Sequence, residues 1–394
     1  MSQHMNRRNW FRSAGLLTAG LGLSRWQQAR AAFVPSAVAT EQRLFQEFAA
    51  LHRLPPDMLP PLRARLFANE NPNGIAQSAK EAINKATAIG NRYAWMEFAQ
   101  LKNLIAKDES VAPKNIQLTP GSSDVLMAAA AYFSQKGPIL TCRPTYEDLL
   151  ERSTKLKGQI LTVPPTSGLG YDLVALKAKA LSTPGLAMVY IVNPNNPTGT
   201  LLPAADLTQF CRDVAPTVPV FIDEAYIDYL EPTDRPQLGK LIADGLNVIL
   251  ARTFSKIHGF AGLRLGYVMA LPATLEQLKP YTNAEFAVSV TTLMAGVASY
   301  QDVAWQTKCR RDNAAARDYT LKALTELGYE PIPSVANFML FPIKMKAKSF
   351  ENQMFGQGVG IQTREIDRQP YCRVSIGTMD EMKIFIETFK KVVG

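Results

Sequence analysis

Between residues 115 and 271 the chain alternates between two kinds of segment. Short apolar runs, "NIQL", "GPILTC", "QILTV", "LAMVYIV", "VPVFID", "NVILART" and "RLGYVMAL", each end near polar residues, and stretches of helical period lie between many of them. The central runs are nearly continuous in Val, Ile and Leu, which suits strands covered on both faces. Such strands, separated by helices, predict an α/β fold with a mainly parallel sheet flanked by helices. Downstream of residue 281 the pattern changes to a long helix in "NAAARDYTLKALTELGYE", short strands in "NFMLFPI" and "CRVSIG", and a closing helix in "MDEMKIFIETFKKVV". This is read as a smaller α+β domain. The expected organisation is an N-terminal segment at 1–31, an arm with an amphipathic helix at 32–65, a large domain at 66–280 and a small domain at 281–394.

The composition fits a globular chain of 394 residues, 47% hydrophobic and 20% charged. The net charge of +9 owes more than half its excess to the first 31 residues, which carry Arg7, Arg8, Arg12, Arg25 and Arg30 and no acid. No basic stripe with interleaved aromatics marks a nucleic-acid surface. In the first segment, "NRRNWFR" precedes the mildly apolar "SAGLLTAGLGL", and Ala29-Arg30-Ala31 offers a small-x-small cleavage site. Eleven apolar residues fall well short of a hydrocarbon core of ~30 Å. A charged start, a short apolar run and such an end make a signal peptide. The paired arginines followed by an aromatic residue resemble a twin-arginine export signal, which implies the twin-arginine machinery as a partner and a periplasmic destination. The four cysteines, Cys142, Cys211, Cys309 and Cys372, have no metal or redox spacing and read as buried thiols.

Strands in open α/β sheets present functional residues at their carboxyl ends. Asn196 in "NPNNPTG", Asp223 and Tyr226 in "FIDEAY", and Lys256 in "TFSK" all lie there. The turn "PGSSD" opens a helix, whose first N–H groups are free to bind an anion. Together these parts suit a phosphorylated pyridine aldehyde. Ser122, Ser123, Thr253, Ser255 and Arg264 would hold a phosphate dianion, and Lys256 would form an imine with the aldehyde. Asp223 would keep the ring nitrogen protonated, so that the ring draws electrons. Tyr226 and Asn196 would bind the phenolic oxygen, and Tyr146 would stack on the ring. Taken singly, Asp223 and Ser122 could cap helices, Tyr146 could be packing, and His258 reads as packing.

The ordered set "NENPNG", "GSSD", "RPTYED", "NPNNPTG", "IDEAY", "TFSKIHGFAGLRLG" and "CRVSIGT" resembles the fold-type I pyridoxal-phosphate aminotransferases, most closely the histidinol-phosphate aminotransferase branch. The resemblance covers residues 65–390. It implies that pyridoxal 5'-phosphate is the cofactor and that Lys256 is the Schiff-base lysine and proton shuttle. It also implies that Arg373 clamps a substrate carboxylate and that Arg364 lies at the distal end of the substrate. Tyr93 matches a tyrosine that reaches the phosphate of a neighbouring subunit's cofactor, which implies a homodimer. Two features depart from the branch: Asn73 stands where an aromatic residue is common, and "RYAWMEF" lacks a Tyr-Pro pair. The expected activity is transfer of an amino group between an amino acid or related amine and a 2-oxo acid. A pyridoxal-phosphate lyase or decarboxylase is the alternative, with a ligand-sensing protein on the same fold behind it.

Overall fold

The computed structural model describes residues 61–394, and in it the apolar runs assemble as expected. The first strand, β1 (Ala64–Arg65), is a short one. It is followed by β2 (Ile116–Thr119), β3 (Ile139–Cys142), β4 (Ile160–Val163), β5 (Met188–Val192), β6 (Val220–Asp223), β7 (Val248–Thr253) and β8 (Gly266–Met269). These last seven form one sheet in the order β2-β8-β7-β6-β5-β3-β4. The five strands from β3 to β7 pair in parallel, and β8 and β2 join antiparallel at one edge.

Every residue of β5, β6 and β7 is buried. Successive side chains of a strand point to opposite faces. Val189, Ile191, Val220, Ile222, Val248 and Leu250 accordingly enter one core, while Met188, Tyr190, Val192, Phe221, Ile249 and Ala251 enter the other. Both faces are covered, which is why these strands read as apolar at nearly every position.

The remaining strands are β9 (Phe338–Pro342), β10 (Val359–Gly360), β11 (Gln362–Ile366) and β12 (Gln369–Ser375). The order β11-β12-β9 makes a small antiparallel sheet, while β10 pairs with β1. Helices Ala347–Gly356 and Met379–Val393 contribute Phe350, Phe385 and Phe389 to the core on this sheet. Residues Leu62–Gly394 form one compact unit.

Three features escape the sequence pattern. The helix expected from "NAAARDYTLKAL" begins much earlier and spans Val303–Glu326, with Asp302 capping its start by accepting from the Trp305 N–H at 2.9 Å. Its first turns, "VAWQTKCRRD", are too charged to show a periodic face. The helix Val290–Gln301 packs on the helices Gln77–Ala86 and Trp95–Glu109, and Leu293 and Ala295 share the core of β5–β7. Residues just beyond 281 therefore belong with the large sheet, and β1, from the other end, joins the small lobe through β10. Strand β11, "QTREI", is half exposed and polar, so it carries no strand signature.

All four cysteines are buried and free, as expected of core thiols. His258 is buried too, with Nδ1 2.9 Å from Ser299 Oγ and its ring 4.4 Å from that of Phe254. Burial pushes its imidazole down to about 4, which agrees with packing. The signal segment and the amphipathic helix at 40–54 lie outside the described residues.

Candidate active site

Strand register builds the site. Val192 pairs with Asp223, and Asp223 with Ala251, so β5, β6 and β7 end side by side. The segments leaving these three strands therefore deliver their residues to one place: Asn196 after β5, Tyr226 after β6 and Lys256 after β7. On the other side, Gly266 pairs with both Thr253 and Thr119. This brings the turn after β2 and the residues just before β8 beside the end of β7. The result is a cavity of about 330 Å³ lined by Ser122, Ser123, Tyr146, Asn196, Asp223 and Tyr226, and further by Thr253, Ser255, Lys256, Arg264, Arg364 and Arg373. Every site residue expected from the sequence lines it except Tyr93.

One end of the cavity is made for an anion. The helix Ser122–Phe133 starts after Gly121, which has φ 89° and supplies no side-chain cap, so the first N–H groups have no partner within the helix. Glycine suits this place because residues with a side chain rarely adopt its φ, and a Cβ would also push the Arg264 guanidinium aside. Gly266 is required, because a Cβ would lie 2.6 Å from the Ser122 nitrogen. Arg264 is held by the Ala261 carbonyl at 2.9 Å and reaches Ser255 Oγ at 3.3 Å. Thr253 Oγ1 donates to Ser255 Oγ at 2.9 Å. A helix start, two hydroxyl pairs and a guanidinium thus converge on one corner, and this is chemistry that holds a phosphate.

Asp223 lies deeper, 2% exposed, and accepts from the Ala225 N–H at 3.1 Å. Burial pushes its carboxyl up to about 7, against the pull of that hydrogen bond and of Lys256. A buried carboxylate short of a counter-charge is suited to a cationic ring nitrogen. Tyr226 OH accepts from Asn69 Nδ2 at 3.1 Å and from Asn196 Nδ2 at 3.4 Å. Two donors occupy the oxygen, so the hydroxyl's own proton is left to bind an acceptor in the cavity. Lys256 Nζ stands 5.3 Å over the Tyr226 ring and donates to the Asn69 carbonyl at 3.1 Å.

The far wall is cationic. Arg373, on β12 and 5% exposed, donates to Asn196 Oδ1 at 2.8 Å, to the Phe67 carbonyl at 3.0 Å and to Gln362. Its Nε is buried without a partner. Burial first, with Arg364 adding to it, pulls its guanidinium down to about 10. An anionic ligand would relieve both the orphaned donor and the desolvated charge. Arg364 is exposed and donates to the same Gln362 oxygen at 3.2 Å. Tyr146, partly exposed, also borders the cavity.

Asn69 and Gln362 are site residues that the sequence pattern does not single out. Asn69 sits inside "NENPNG", but nothing in a polar, Pro-containing stretch separates a buried asparagine from a turn residue. Gln362 is the cross-strand partner of Arg373, a register that only the folded hairpin shows. Tyr93 stands apart: it is 75% exposed and packs against Phe286 and Trp95, with ring centroids 5.7 Å and 6.4 Å away.

The geometry agrees with what comparison to known proteins finds. Residues 64–389 match the family model described as aminotransferase class I and II. The histidinol-phosphate aminotransferase of Moorella thermoacetica is 32% identical over 333 residues, covering 84% of this chain and 85% of that protein. Histidinol-phosphate aminotransferase 2 of Pseudomonas fluorescens Pf-5 is 32% identical over 86% of this chain and 91% of its own. The crystal structure of histidinol-phosphate aminotransferase from Sinorhizobium meliloti in complex with pyridoxal-5'-phosphate superposes with a TM-score of 0.78 at 26% identity, covering 88% of this chain and 93% of that one. The family match spans the whole of this cavity, from the turn before Gly74 to β12: this chain is a pyridoxal-phosphate-dependent transaminase and belongs to the aminotransferase class I and II family.

Proposed function

We propose that the enzyme exchanges an amino group between an α-amino acid, or an amine of the histidinol-phosphate kind, and a 2-oxo acid, and that it does so outside the cytoplasm. The observation that carries the substrate reading is Arg373, a buried guanidinium with an unpartnered Nε at the cavity wall. A planar fork of donors suits a carboxylate, which amino and oxo acids share. Similarity to histidinol-phosphate aminotransferases favours histidinol phosphate as one amine.

Each residue has a defined task in this reading. Ser122, Ser123, Thr253, Ser255 and Arg264 hold the cofactor's phosphate and so set the ring's position. Asp223 keeps a proton on the ring nitrogen. Asn196 and Tyr226 hold the phenolic oxygen, and Tyr146 covers the ring. When bound, pyridoxal phosphate supplies a carbonyl for the amino group and a ring that draws electrons from the substrate's Cα. Lys256 Nζ would take the Cα proton as general base and, as its ammonium, would be the acid that gives it back. Arg373 orients the carboxylate so that the Cα–H bond faces the lysine. A panel of amino donors, including histidinol phosphate and L-glutamate, added to the loaded enzyme should convert the cofactor's absorbance to that of its amine form. A panel that releases products with no such conversion would favour the lyase or decarboxylase instead.

The homodimer and the export route belong to the same proposal. Tyr93 would complete a partner's phosphate corner from the exposed aromatic cluster it shares with Trp95 and Phe286. The twin-arginine pattern at Arg7 and Arg8 supports export of the folded, loaded protein to the periplasm. Replacing both arginines with lysine should trap active enzyme in the cytoplasm. Wild-type protein that fractionates only with the cytoplasm would end the export reading.

A further inference from the structure

Asn69 lies between the cavity's lysine and its tyrosine and touches both. Its carbonyl accepts from Lys256 Nζ at 3.1 Å, and its Nδ2 donates to Tyr226 OH at 3.1 Å. The residue is itself pinned to β12: its N–H donates to Ser375 Oγ at 2.8 Å, and that hydroxyl donates to Asn69 Oδ1, also at 2.8 Å. Asn69 is 2% exposed, and its φ of 52° is in the left-handed region.

The two halves of the residue make different demands. A left-handed backbone costs most L-residues ~1–2 kcal/mol, and asparagine is among the few that visit it routinely. Glycine would adopt the same backbone freely and keep the N–H bond to Ser375 Oγ, but would lose the side-chain ties to Tyr226 and Ser375. Asparagine meets both requirements, and its conformation directs the carbonyl at Lys256. A lysine side chain has up to ~2 kcal/mol of rotamer freedom to lose. The carbonyl and the Tyr226 ring 5.3 Å away give Nζ one place to rest.

We propose that Asn69 is a positioning residue of the reaction. It holds the Lys256 amine and the Tyr226 hydroxyl in place whenever the lysine is not covalently engaged. In the step it serves, the substrate's Cα–H bond would break with the proton going to Nζ, and the cofactor, when bound, would take up the electron pair left behind. The carbonyl keeps the receiving amine on the side of the cavity from which that proton leaves.

The inference rests on the role given to Lys256 above, and two variants test it. Asn69→Ala loses the side chain and disfavours the left-handed backbone. Asn69→Gly loses the side chain but keeps the backbone. Each is loaded with pyridoxal phosphate and mixed with the fastest donor of the panel, with and without deuterium at Cα, while the cofactor's absorbance is followed. A lost general base costs ~10²-fold or more. The alanine variant should approach that loss in half-reaction rate, with a larger deuterium isotope effect and a KM changed less than about threefold. The glycine variant should fall by about tenfold. It should also take up pyridoxal phosphate onto Lys256 faster than the alanine variant does when cofactor-free protein is mixed with the cofactor. Wild-type rates in Asn69→Ala, or a loss matched by a fall in Tm with an unchanged isotope effect, would overturn the proposal. A glycine variant no faster than the alanine one would overturn the part given to the carbonyl. Wild-type protein that never shows the absorbance of lysine-bound cofactor would instead fail the role of Lys256.

Discussion

Arg252 Nε donates to Glu224 Oε2 at 2.8 Å, and their side chains are 3% and 0% exposed. Arg252 belongs to β7 and Glu224 directly follows β6, so the pair fastens the carboxyl ends of the strands that deliver Asp223 and Lys256. Arg252 also pairs with Glu109, the last residue of the helix Trp95–Glu109. Removing one member of a buried pair leaves the other charge uncompensated, at ~3–5 kcal/mol. Arg252→Ala should lose stability on that scale, read as a lower urea midpoint at unchanged slope.

Asp223 makes the cofactor-free protein sensitive to pH in a defined direction. Its carboxyl is pushed from 3.8 to about 7 by burial. Between those values the folded protein holds a proton that the unfolded chain has lost, so stability falls as pH rises through this window. Asp223→Asn removes the effect. In cofactor-free protein the variant should gain Tm over wild type at pH 8, and the gain should shrink toward pH 4. A gain of equal size at both ends would mean the carboxylate is already compensated.

Lys256→Ala should abolish turnover and leave cofactor binding in place. In the proposed site Ser122, Ser123, Thr253, Ser255 and Arg264, which line the cavity, would anchor the phosphate end without the lysine. The covalent link and the proton transfer would depend on it. Equilibrium dialysis should find bound pyridoxal phosphate, and the absorbance of the free aldehyde should replace that of the lysine-bound form.

Arg373→Lys should raise KM for every amino acid donor and every 2-oxo acid acceptor alike. Lysine preserves the charge but cannot make two parallel bonds to one carboxylate, nor keep both the Asn196 and Phe67 contacts. Steady-state kinetics with several donor–acceptor pairs checks this. A rise confined to one member of each pair would place Arg373 on the side chain instead.

Much of this site was legible because it lies at strand ends. β5, β6 and β7 are buried on both faces, so their sequences are apolar at nearly every position, and Asn196, Asp223 and Lys256 stand out where each run stops. Ser122, Ser123 and Arg264 were legible through glycine turns and a helix start. The hidden part depends on contacts distant in sequence. Arg252 lies inside "VILART" and reads as part of a strand, and its partner Glu109 is 143 positions away. Asn69 works through its left-handed backbone and through Ser375, 306 positions on, which leaves no periodic trace. Gln362 lies on a polar edge strand that only pairing with β12 defines.

The exposed aromatic cluster gives the last prediction. Tyr93, Trp95 and Met96 are 75%, 64% and 79% exposed, and Phe286, 46% exposed, stacks edge-on against Trp95 at 4.6 Å. Large apolar side chains grouped on a surface mark a place where another protein binds, and Trp and Tyr dominate the energy of such contacts. If the partner is a second copy whose Tyr93 completes the phosphate corner, assembly and cofactor affinity must fail together. Trp95→Glu places a charge at the centre of the patch without touching the cavity. Sedimentation should show dissociation at concentrations where wild type is dimeric, and the loaded variant should release pyridoxal phosphate faster on dilution. Tyr93→Phe should keep the dimer and lose only the contribution of one hydroxyl hydrogen bond to a charged phosphate, ~1.5–3 kcal/mol. Dissociation of the Trp95 variant with unchanged cofactor affinity would show that each subunit holds its cofactor alone.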